Sequence, residues 1–160
     1  MTKPIFTGVC TALVTPFLEN RLNTPMLRQL IRRQELAGVD ALLICGTIGE
    51  SAALTDTEKL ELFKTSREAI PEGVPFIAGT GSNNTAHAVA LSQAAQELGA
   101  DALLVVSPYY NKATEEGLYR HYRHIAEAVS IPVILYNVPS RTGLDIPVSI
   151  YQKLAEIPNI

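Results

Sequence analysis

Five apolar runs, separated by helix-like segments at a repeat of roughly thirty residues, limit what this chain can fold into. Runs without alternating polar positions are typical of strands that are buried on both faces, as in a parallel sheet. The segments between them carry helix-start signals, such as the capping box of Thr55 and Glu58. The apolar runs are residues 8–14, 40–45, 75–79, 101–106 and 131–136. This order predicts a parallel sheet covered by helices.

Two α/β architectures are compatible with such a repeat, an open doubly wound sheet and a (β/α)8 barrel. The dinucleotide-binding form of the open sheet needs a glycine-rich turn after its first strand, but the turn here reads Thr15-Pro-Phe-Leu-Glu19. Barrels place functional loops at the carboxyl ends of their strands, and polar loops follow the second, fourth and fifth runs. We therefore expect a (β/α)8 TIM-barrel fold. Because a whole barrel takes about 250 residues, residues 1–160 predict one domain, a partial barrel of about five βα units, with residues 157–160 leading into a sixth strand.

Composition and charge exclude several classes of partner. With 13 basic and 16 acidic residues the net charge is −3, and no basic stripe for nucleic acid is present. The chain contains no apolar run of about 18 residues, the length that a membrane span requires, and no signal peptide. Cys10 and Cys45 lie inside apolar runs, so we expect reduced core cysteines rather than a disulfide. These features predict a cytoplasmic protein that binds neither nucleic acid nor membrane.

The stretch from Ile134 to Gly143 is the most suggestive of chemistry. Its first half predicts a buried strand, and Pro139 then starts a short polar turn. Tyr136, at the end of the strand, is suited to moving a proton, and Arg141 is suited to gripping a carboxylate with two parallel hydrogen bonds.

Two further loops are candidates for the same site. The loop Gly46-Thr-Ile-Gly-Glu50 offers backbone N–H groups and the Thr47 hydroxyl to a carboxylate or oxyanion, although glycines also serve ordinary strand-to-helix turns. Tyr109 and Tyr110 follow the fourth strand, and taken by themselves these phenols favour a packing role. Convergence with Thr47 and Tyr136 would favour a function for these phenols.

The histidines and two aspartates favour structural roles. The loop of residues 80–84 with His87 is suited to a small polar ligand, but a helix N-cap with a solvated histidine is favoured. His121 and His124 share one face of the fourth helix, and without further ligands nearby they predict a solvated face rather than a metal site. Asp40 and Asp101 open strands at the opposite edge of the sheet and are interpreted as structural.

Taken together, these loops resemble the dihydrodipicolinate synthases (4-hydroxy-tetrahydrodipicolinate synthases), within the N-acetylneuraminate lyase group of pyruvate-dependent aldolases. The resemblance covers essentially the whole chain. The motifs that carry it are Thr15-Pro-Phe17, Gly46-Thr-Ile-Gly-Glu-Ser51, Ala78-Gly-Thr-Gly81, Pro108-Tyr-Tyr-Asn-Lys112 and Tyr136-Asn-Val-Pro-Ser-Arg-Thr-Gly143.

The resemblance implies a barrel enzyme, assembled as a homo-oligomer, that holds pyruvate as a Schiff base on a lysine and condenses it with aspartate semialdehyde. Tyr136 matches the phenol that shuttles protons. Thr47 matches the hydroxyl that links this phenol to a second tyrosine, matched by Tyr110, which a neighbouring subunit donates. Arg141 matches the guanidinium that receives the semialdehyde's carboxylate, and it favours the synthase over the sialic acid lyases. No cofactor or metal is implied.

Two departures concern ligand binding. Ile48 stands where the family has a second threonine, so we expect its backbone N–H still to bind the pyruvate carboxylate, but more weakly than with the hydroxyl. At the family's site for feedback by lysine, His87 replaces a glutamate, and Asp56 and Lys59 stand where some members have histidine, which argues against inhibition by lysine. The candidate allosteric residues are Ser51, Asn83, His87 and Tyr109.

The third departure is the Schiff-base lysine, which the family carries on the sixth strand and which no residue here matches. The lysines are Lys3, Lys59, Lys64, Lys112 and Lys153. An imine-forming lysine needs a desolvated site, and these lie on predicted helices, at a terminus or in a loop. We therefore expect a fragment of an aldolase that is inactive alone. The alternatives are a non-catalytic half-barrel that self-assembles or binds a small carboxylate, and another pyruvate-dependent aldolase.

Overall fold

The computed structural model describes residues 4–160. The described residues form seven strands and six α-helices. The strands are β1 (Cys10–Ala12), β2 (Phe17–Leu18), β3 (Arg21–Leu22), β4 (Ala41–Ile44), β5 (Phe76–Gly79), β6 (Ala102–Val106) and β7 (Val133–Tyr136). The helices are α1 (Thr24–Leu36), α2 (Asp56–Ala69), α3 (Thr85–Glu97), α4 (Glu115–Glu127), α5 (Pro139–Thr142) and α6 (Val148–Leu154). A 3₁₀ turn, Ser51–Ala53, precedes α2.

The main sheet has the strand order β1-β4-β5-β6-β7, and each neighbouring pair is parallel. Strands therefore follow one another across the sheet in the order of the chain, without the reversal that defines a doubly wound sheet. Successive parallel βα units of this kind build a barrel wall. The predicted partial barrel of five βα units is confirmed.

The two faces of the sheet are packed differently. The face toward the helices holds the main core, where Phe63 of α2 and Phe76 of β5 lie with ring centroids 5.9 Å apart. Tyr122 of α4 is fully buried in the same core, and its hydroxyl donates to the Val105 carbonyl at 3.4 Å. The opposite face carries a small cluster around Ile77. Packing against the helices thus holds the strands in place. The loops at the carboxyl ends of the strands are not part of this core and can carry functional residues.

Two aspartates at the amino-terminal edge fasten neighbouring strands, as predicted. The Asp101 carboxylate accepts a 2.8 Å hydrogen bond from the Phe76 N–H and one of 3.1 Å from Arg67. The Asp40 carboxylate accepts one of 2.7 Å from the Val9 N–H. Both side chains satisfy backbone donors that the adjacent strand leaves open.

The structure corrects two local predictions. The first strand is shorter than residues 8–14, and the antiparallel hairpin of β2 and β3 follows it. The expected polar turn after β7 is a short helix, α5, because Pro139 fits its first turn and Gly143, with φ of +66°, ends it. Residues 157–160, predicted to lead into a sixth strand, form turns here, and the Asn159 carbonyl accepts a 2.7 Å hydrogen bond from the Val133 N–H of β7.

The prediction of a solvated histidine face on α4 is wrong for His121. Its side chain is only 4% exposed, and its Nδ1 lies 2.9 Å from the Thr85 hydroxyl of α3. Packing of α4 against α3 buries this ring, whereas His124 remains exposed. Burial, and secondarily His124, lower the pKa of His121 to about 4.

Both cysteines are free thiols, as expected. Burial raises the pKa of Cys45 to about 12, so this thiol stays protonated at neutral pH. Within residues 4–160 no helix is long and apolar enough to cross a membrane.

Candidate active site

A cavity of about 890 Å³ opens at the carboxyl ends of the strands. Because all five strands of the main sheet are parallel, the loops that follow them meet at this one edge. Loops after β4, β5, β6 and β7 all contribute to its wall. Among the predicted site residues, those lining it are Thr47, Ser51, Asn83, His87, Tyr109, Tyr136 and Arg141. The sequence therefore identified residues that are far apart in the chain and share one cavity.

The loop after β4 is held in a tight turn. The Gly49 and Glu50 N–H groups donate to the Gly46 and Thr47 carbonyls, each at 3.1 Å. The Thr15 hydroxyl donates a 2.7 Å hydrogen bond to the Gly49 carbonyl and so ties the loop to the end of β1. The N–H groups at positions 47 and 48 have no acceptor within the described residues. They are available to an anion such as a carboxylate.

The loop after β7 presents Arg141. Tyr136 is the last residue of β7, and α5 begins three residues later. The Thr142 hydroxyl is buried and donates to the carbonyls of Val138 at 3.2 Å and Leu144 at 2.9 Å. Arg141 is exposed and lines the cavity. A guanidinium that has no hydrogen-bond partner within residues 4–160 suits the binding of an incoming carboxylate.

Two predicted site residues do not line this cavity. Ile48 is 56% exposed, so its contribution would come from its backbone N–H rather than its side chain. Tyr110 is 89% exposed and has a left-handed backbone, with φ of +70°. Its phenol projects from the surface instead of into the cavity of its own chain.

The candidate allosteric residues lie in the same cavity beside a chain of hydrogen bonds. Asn84 caps α3 as predicted, but His87 is not simply solvated. Its Nδ1 lies 3.1 Å from the Ser82 hydroxyl, and its Nε2 lies 2.9 Å from the Asp56 carboxylate. This hydrogen bond to His87 lowers the pKa of Asp56. The correction arises because the first turn of α2 packs beside the first turn of α3, a contact that local sequence does not reveal.

The sequence analysis named Lys59 at the family's feedback site but did not predict that this cation is buried in the cavity wall. Lys59 of α2 is only 9% exposed, and its Nζ lies 3.6 Å from the Asp56 carboxylate. The sequence gives only a weak signal for this burial, because Lys59 lies at the start of an amphipathic helix that also carries lysine at a solvent-facing position, Lys64. Lys64, Lys112 and Lys153 are exposed, and Lys3 lies outside the described residues.

Comparison with known proteins decides the family. The dihydrodipicolinate synthetase family matches residues 5–160. The chain belongs to this family.

Relatives in the dihydrodipicolinate synthetase family extend beyond the matched region. The 4-hydroxy-tetrahydrodipicolinate synthase of Acetivibrio thermocellus is 53% identical over the whole chain, which covers 55% of that relative. The chloride-inhibited dihydrodipicolinate synthase of Acinetobacter baumannii, solved with pyruvate, is 45% identical with a TM-score of 0.93, over 96% of this chain and 53% of that one. A monomeric dihydrodipicolinate synthase variant is 40% identical with a TM-score of 0.93, and the match covers 97% of this chain and 52% of the variant. This family member thus spans about half the length of the relatives that it matches.

The described part of this dihydrodipicolinate synthetase family member offers no cluster for a metal in the cavity. Within residues 4–160, no group of three or more His, Cys, Asp or Glu side chains could hold an ion.

Proposed function

We propose that this cavity is the proton-transfer and carboxylate-binding part of a 4-hydroxy-tetrahydrodipicolinate synthase active site. The reaction condenses pyruvate, held as an imine on a lysine, with aspartate 4-semialdehyde. The observation that carries the proposal is that Thr47, Tyr136 and Arg141, which come from separate loops, line one cavity in a member of this family.

Tyr136 and Thr47 serve proton transfer. Carbon–carbon bond formation requires the methyl group of the pyruvate imine to lose a proton and become a nucleophilic enamine. A phenol at the end of a strand is rigidly placed to receive and return protons. The Thr47 hydroxyl both donates and accepts a hydrogen bond, so it can connect Tyr136 to a second phenol.

Arg141 and the loop after β4 bind the two carboxylates. The Arg141 guanidinium forms two parallel charge-assisted hydrogen bonds with the carboxylate of the semialdehyde. The free N–H groups of Thr47 and Ile48 receive the carboxylate of pyruvate. Because the Ile48 side chain cannot donate a hydrogen bond, this carboxylate is held less tightly than it would be with threonine at that position.

Tyr110 serves the site of a neighbouring copy. Its phenol is 89% exposed and does not line its own cavity, which supports donation between subunits. The active form is then a homo-oligomer, and we expect it in the cytoplasm. Its small-molecule partners are pyruvate and aspartate semialdehyde.

The 160-residue chain by itself is expected to form no pyruvate imine. Three described lysines are exposed, and the ammonium of the buried Lys59 is paired with Asp56. Pyruvate and borohydride are added, and intact mass is measured. No pyruvyl adduct is expected, and a stable adduct mapped to Lys59 would contradict this part of the proposal.

A chimera tests the whole reaction. This chain is joined to the carboxyl-terminal part of the Acetivibrio thermocellus relative that the match leaves uncovered, and consumption of both substrates is followed. We expect turnover and a borohydride-trapped pyruvyl lysine in the added part. A folded chimera that traps pyruvate but does not consume the semialdehyde would refute the assigned substrate. Failure to trap pyruvate in a folded chimera would refute the imine mechanism.

A self-assembling half-barrel is the second candidate function. Strands β1 and β7 each have a neighbour on one side only in the main sheet, and such edges invite pairing with another chain. Size-exclusion chromatography with mass measurement distinguishes this candidate. A monomer at all concentrations would exclude assembly through the edges.

A further inference from the structure

Three side chains in the cavity form a continuous hydrogen-bonded chain that the aldol reaction does not use. The Ser82 Oγ lies 3.1 Å from Nδ1 of His87, and Nε2 of His87 lies 2.9 Å and 3.0 Å from the two oxygens of Asp56. All three residues line the cavity. A hydroxyl, an imidazole and a carboxylate in this order have the connectivity of a nucleophile, a base and a group that orients the base.

The neighbouring groups determine the direction of these hydrogen bonds for a neutral imidazole. A carboxylate only accepts hydrogen bonds, so Nε2 of His87 carries the ring's proton and donates a hydrogen bond to Asp56. Nδ1 then has a free lone pair. The Ser82 Oγ already accepts a 3.2 Å hydrogen bond from the Asn84 N–H, and its own proton is free to point to Nδ1. With the imidazole neutral, Ser82 therefore donates to the base, as nucleophilic catalysis requires.

The surroundings of Ser82 also suit acyl transfer. Ser82 lies between the end of β5 and the start of α3, and it is 5% exposed, at the wall of the cavity. The backbone N–H groups of Ser82 and Asn83 donate no hydrogen bond within residues 4–160. Free N–H groups beside a nucleophile can stabilise the negative oxygen of a tetrahedral intermediate. Lys59 also pairs with Asp56, at 3.6 Å, a longer contact than either bond to His87.

We propose that Ser82, His87 and Asp56 form an acyl-transfer site that hydrolyses small carboxylic esters, separately from the aldol reaction. Oγ of Ser82 attacks the ester carbonyl while its proton moves to Nδ1 of His87. The bond to the alcohol oxygen breaks, and the alcohol leaves with that proton. Water then attacks the acyl carbon and gives one proton to Nδ1. The bond between the acyl carbon and Oγ breaks, the acid is released, and the proton returns from Nδ1 to Oγ of Ser82. Asp56 is a positioning residue that holds the imidazole through Nε2.

The test uses p-nitrophenyl acetate with the chain as it is. We expect release of p-nitrophenolate and transient gain of one acetyl group, which peptide mapping places on Ser82. Ser82→Ala and His87→Gln are each expected to lower the rate by about 100-fold. Asp56→Asn is expected to lower kcat with KM unchanged, and Asp56→Glu to recover part of the loss. Ser149→Ala, an exposed position on α6, is the matched control and keeps the full rate.

Mapping the site of covalent labelling on the unsubstituted chain keeps the test decisive if a variant misfolds. A fluorophosphonate is added, and the labelled peptide is identified by mass spectrometry. Label on Ser82 supports the site. Acetyl on Lys59 or Tyr109 with Ser82 unlabelled, or an unchanged rate in folded Ser82→Ala, would overturn it.

Discussion

The side-chain amide of Asn137 donates a 2.6 Å hydrogen bond to the Asp145 carboxylate, bridging the loop that carries Arg141. The Oδ1 of Asn137 also accepts from the Ile146 N–H at 3.4 Å. One side chain thus joins the end of β7 to the segment before α6. It holds the two ends of the Arg141 loop together.

Asn137→Ala is therefore expected to loosen this loop. Loss of the hydrogen bonds should cost about 1 kcal/mol in the free energy of unfolding, or a drop of roughly 2–4 °C in Tm. In the chimera described above, KM for the semialdehyde should rise more than kcat falls, because Arg141 binds that substrate. Ser149→Ala is the control in both assays, and an unchanged KM would contradict the positioning role of Asn137.

Asp101 gives a prediction about stability alone. Its carboxylate accepts from the N–H of Phe76, a fully buried residue, and from Arg67. Asp101→Ala should lower the free energy of unfolding by about 2 kcal/mol, since a buried donor loses its partner. Urea unfolding measures this loss. Glu72→Ala, at an exposed position, should leave stability nearly unchanged, and an equal loss in both variants would argue against the strand-fastening role.

His121 makes stability depend on pH in a defined window. Its pKa is 6.5 when unperturbed and about 4 in the folded protein, because burial disfavours the charged ring. Between these values the unfolded chain binds a proton that the folded chain does not. The contribution of His121 is therefore fully present above pH 6.5, decreases as the pH falls toward 4, and is lost below that. The total change should be on the order of 2–3 kcal/mol.

Urea unfolding of the chain and of His121→Gln, measured across this window, isolates the effect. The difference between the two free energies of unfolding should shrink as the pH falls, because glutamine does not titrate. His124→Gln should retain most of the pH dependence, since the exposed His124 contributes only secondarily. Parallel curves for the chain and His121→Gln would refute the assignment.

The sequence predicted those parts of the fold that local pattern determines. Buried strands are continuous apolar runs, and the capping box of Thr55 and Glu58 lies at the start of α2 as expected. The hairpin of β2 and β3 was missed because two-residue strands leave no periodicity to detect. His121 was misjudged because its burial depends on α3, and helix spacing alone cannot show which neighbour covers a face.

In the candidate site, too, some residues could be predicted from the sequence and others depend on how the helices pack. Tyr136 ends β7, and Thr47 and Arg141 follow the ends of β4 and β7 within a few residues, so the parallel topology brings all three to one edge. The family resemblance places Asp56 and His87 at one site, but their hydrogen bond was not predicted, because the two residues lie 31 positions apart, on the first turns of two helices. Such contacts depend on how helices pack side by side and leave no signal in local sequence.

Donation of Tyr110 between subunits can be tested by mixing inactive chimeras. One carries Tyr110→Phe and the other Tyr136→Phe, and both changes keep the ring while removing the hydroxyl. If each site uses its own Tyr136 and the neighbour's Tyr110, a mixed dimer has one site with both hydroxyls intact and one with neither. Random mixing of equal amounts should restore about a quarter of the sites, because half of the dimers are mixed.

The activity of each variant refolded alone provides the baseline. A mixture of the two variants that were refolded separately provides the control in which no subunits have exchanged. Because Tyr110 is 89% exposed, Tyr110→Phe should also leave the urea midpoint unchanged, so low activity in that variant reflects the missing hydroxyl. Activity above the baseline only after joint refolding establishes the shared site. Activity that stays at the average of the two variants would mean that Tyr110 either acts within its own chain or takes no part.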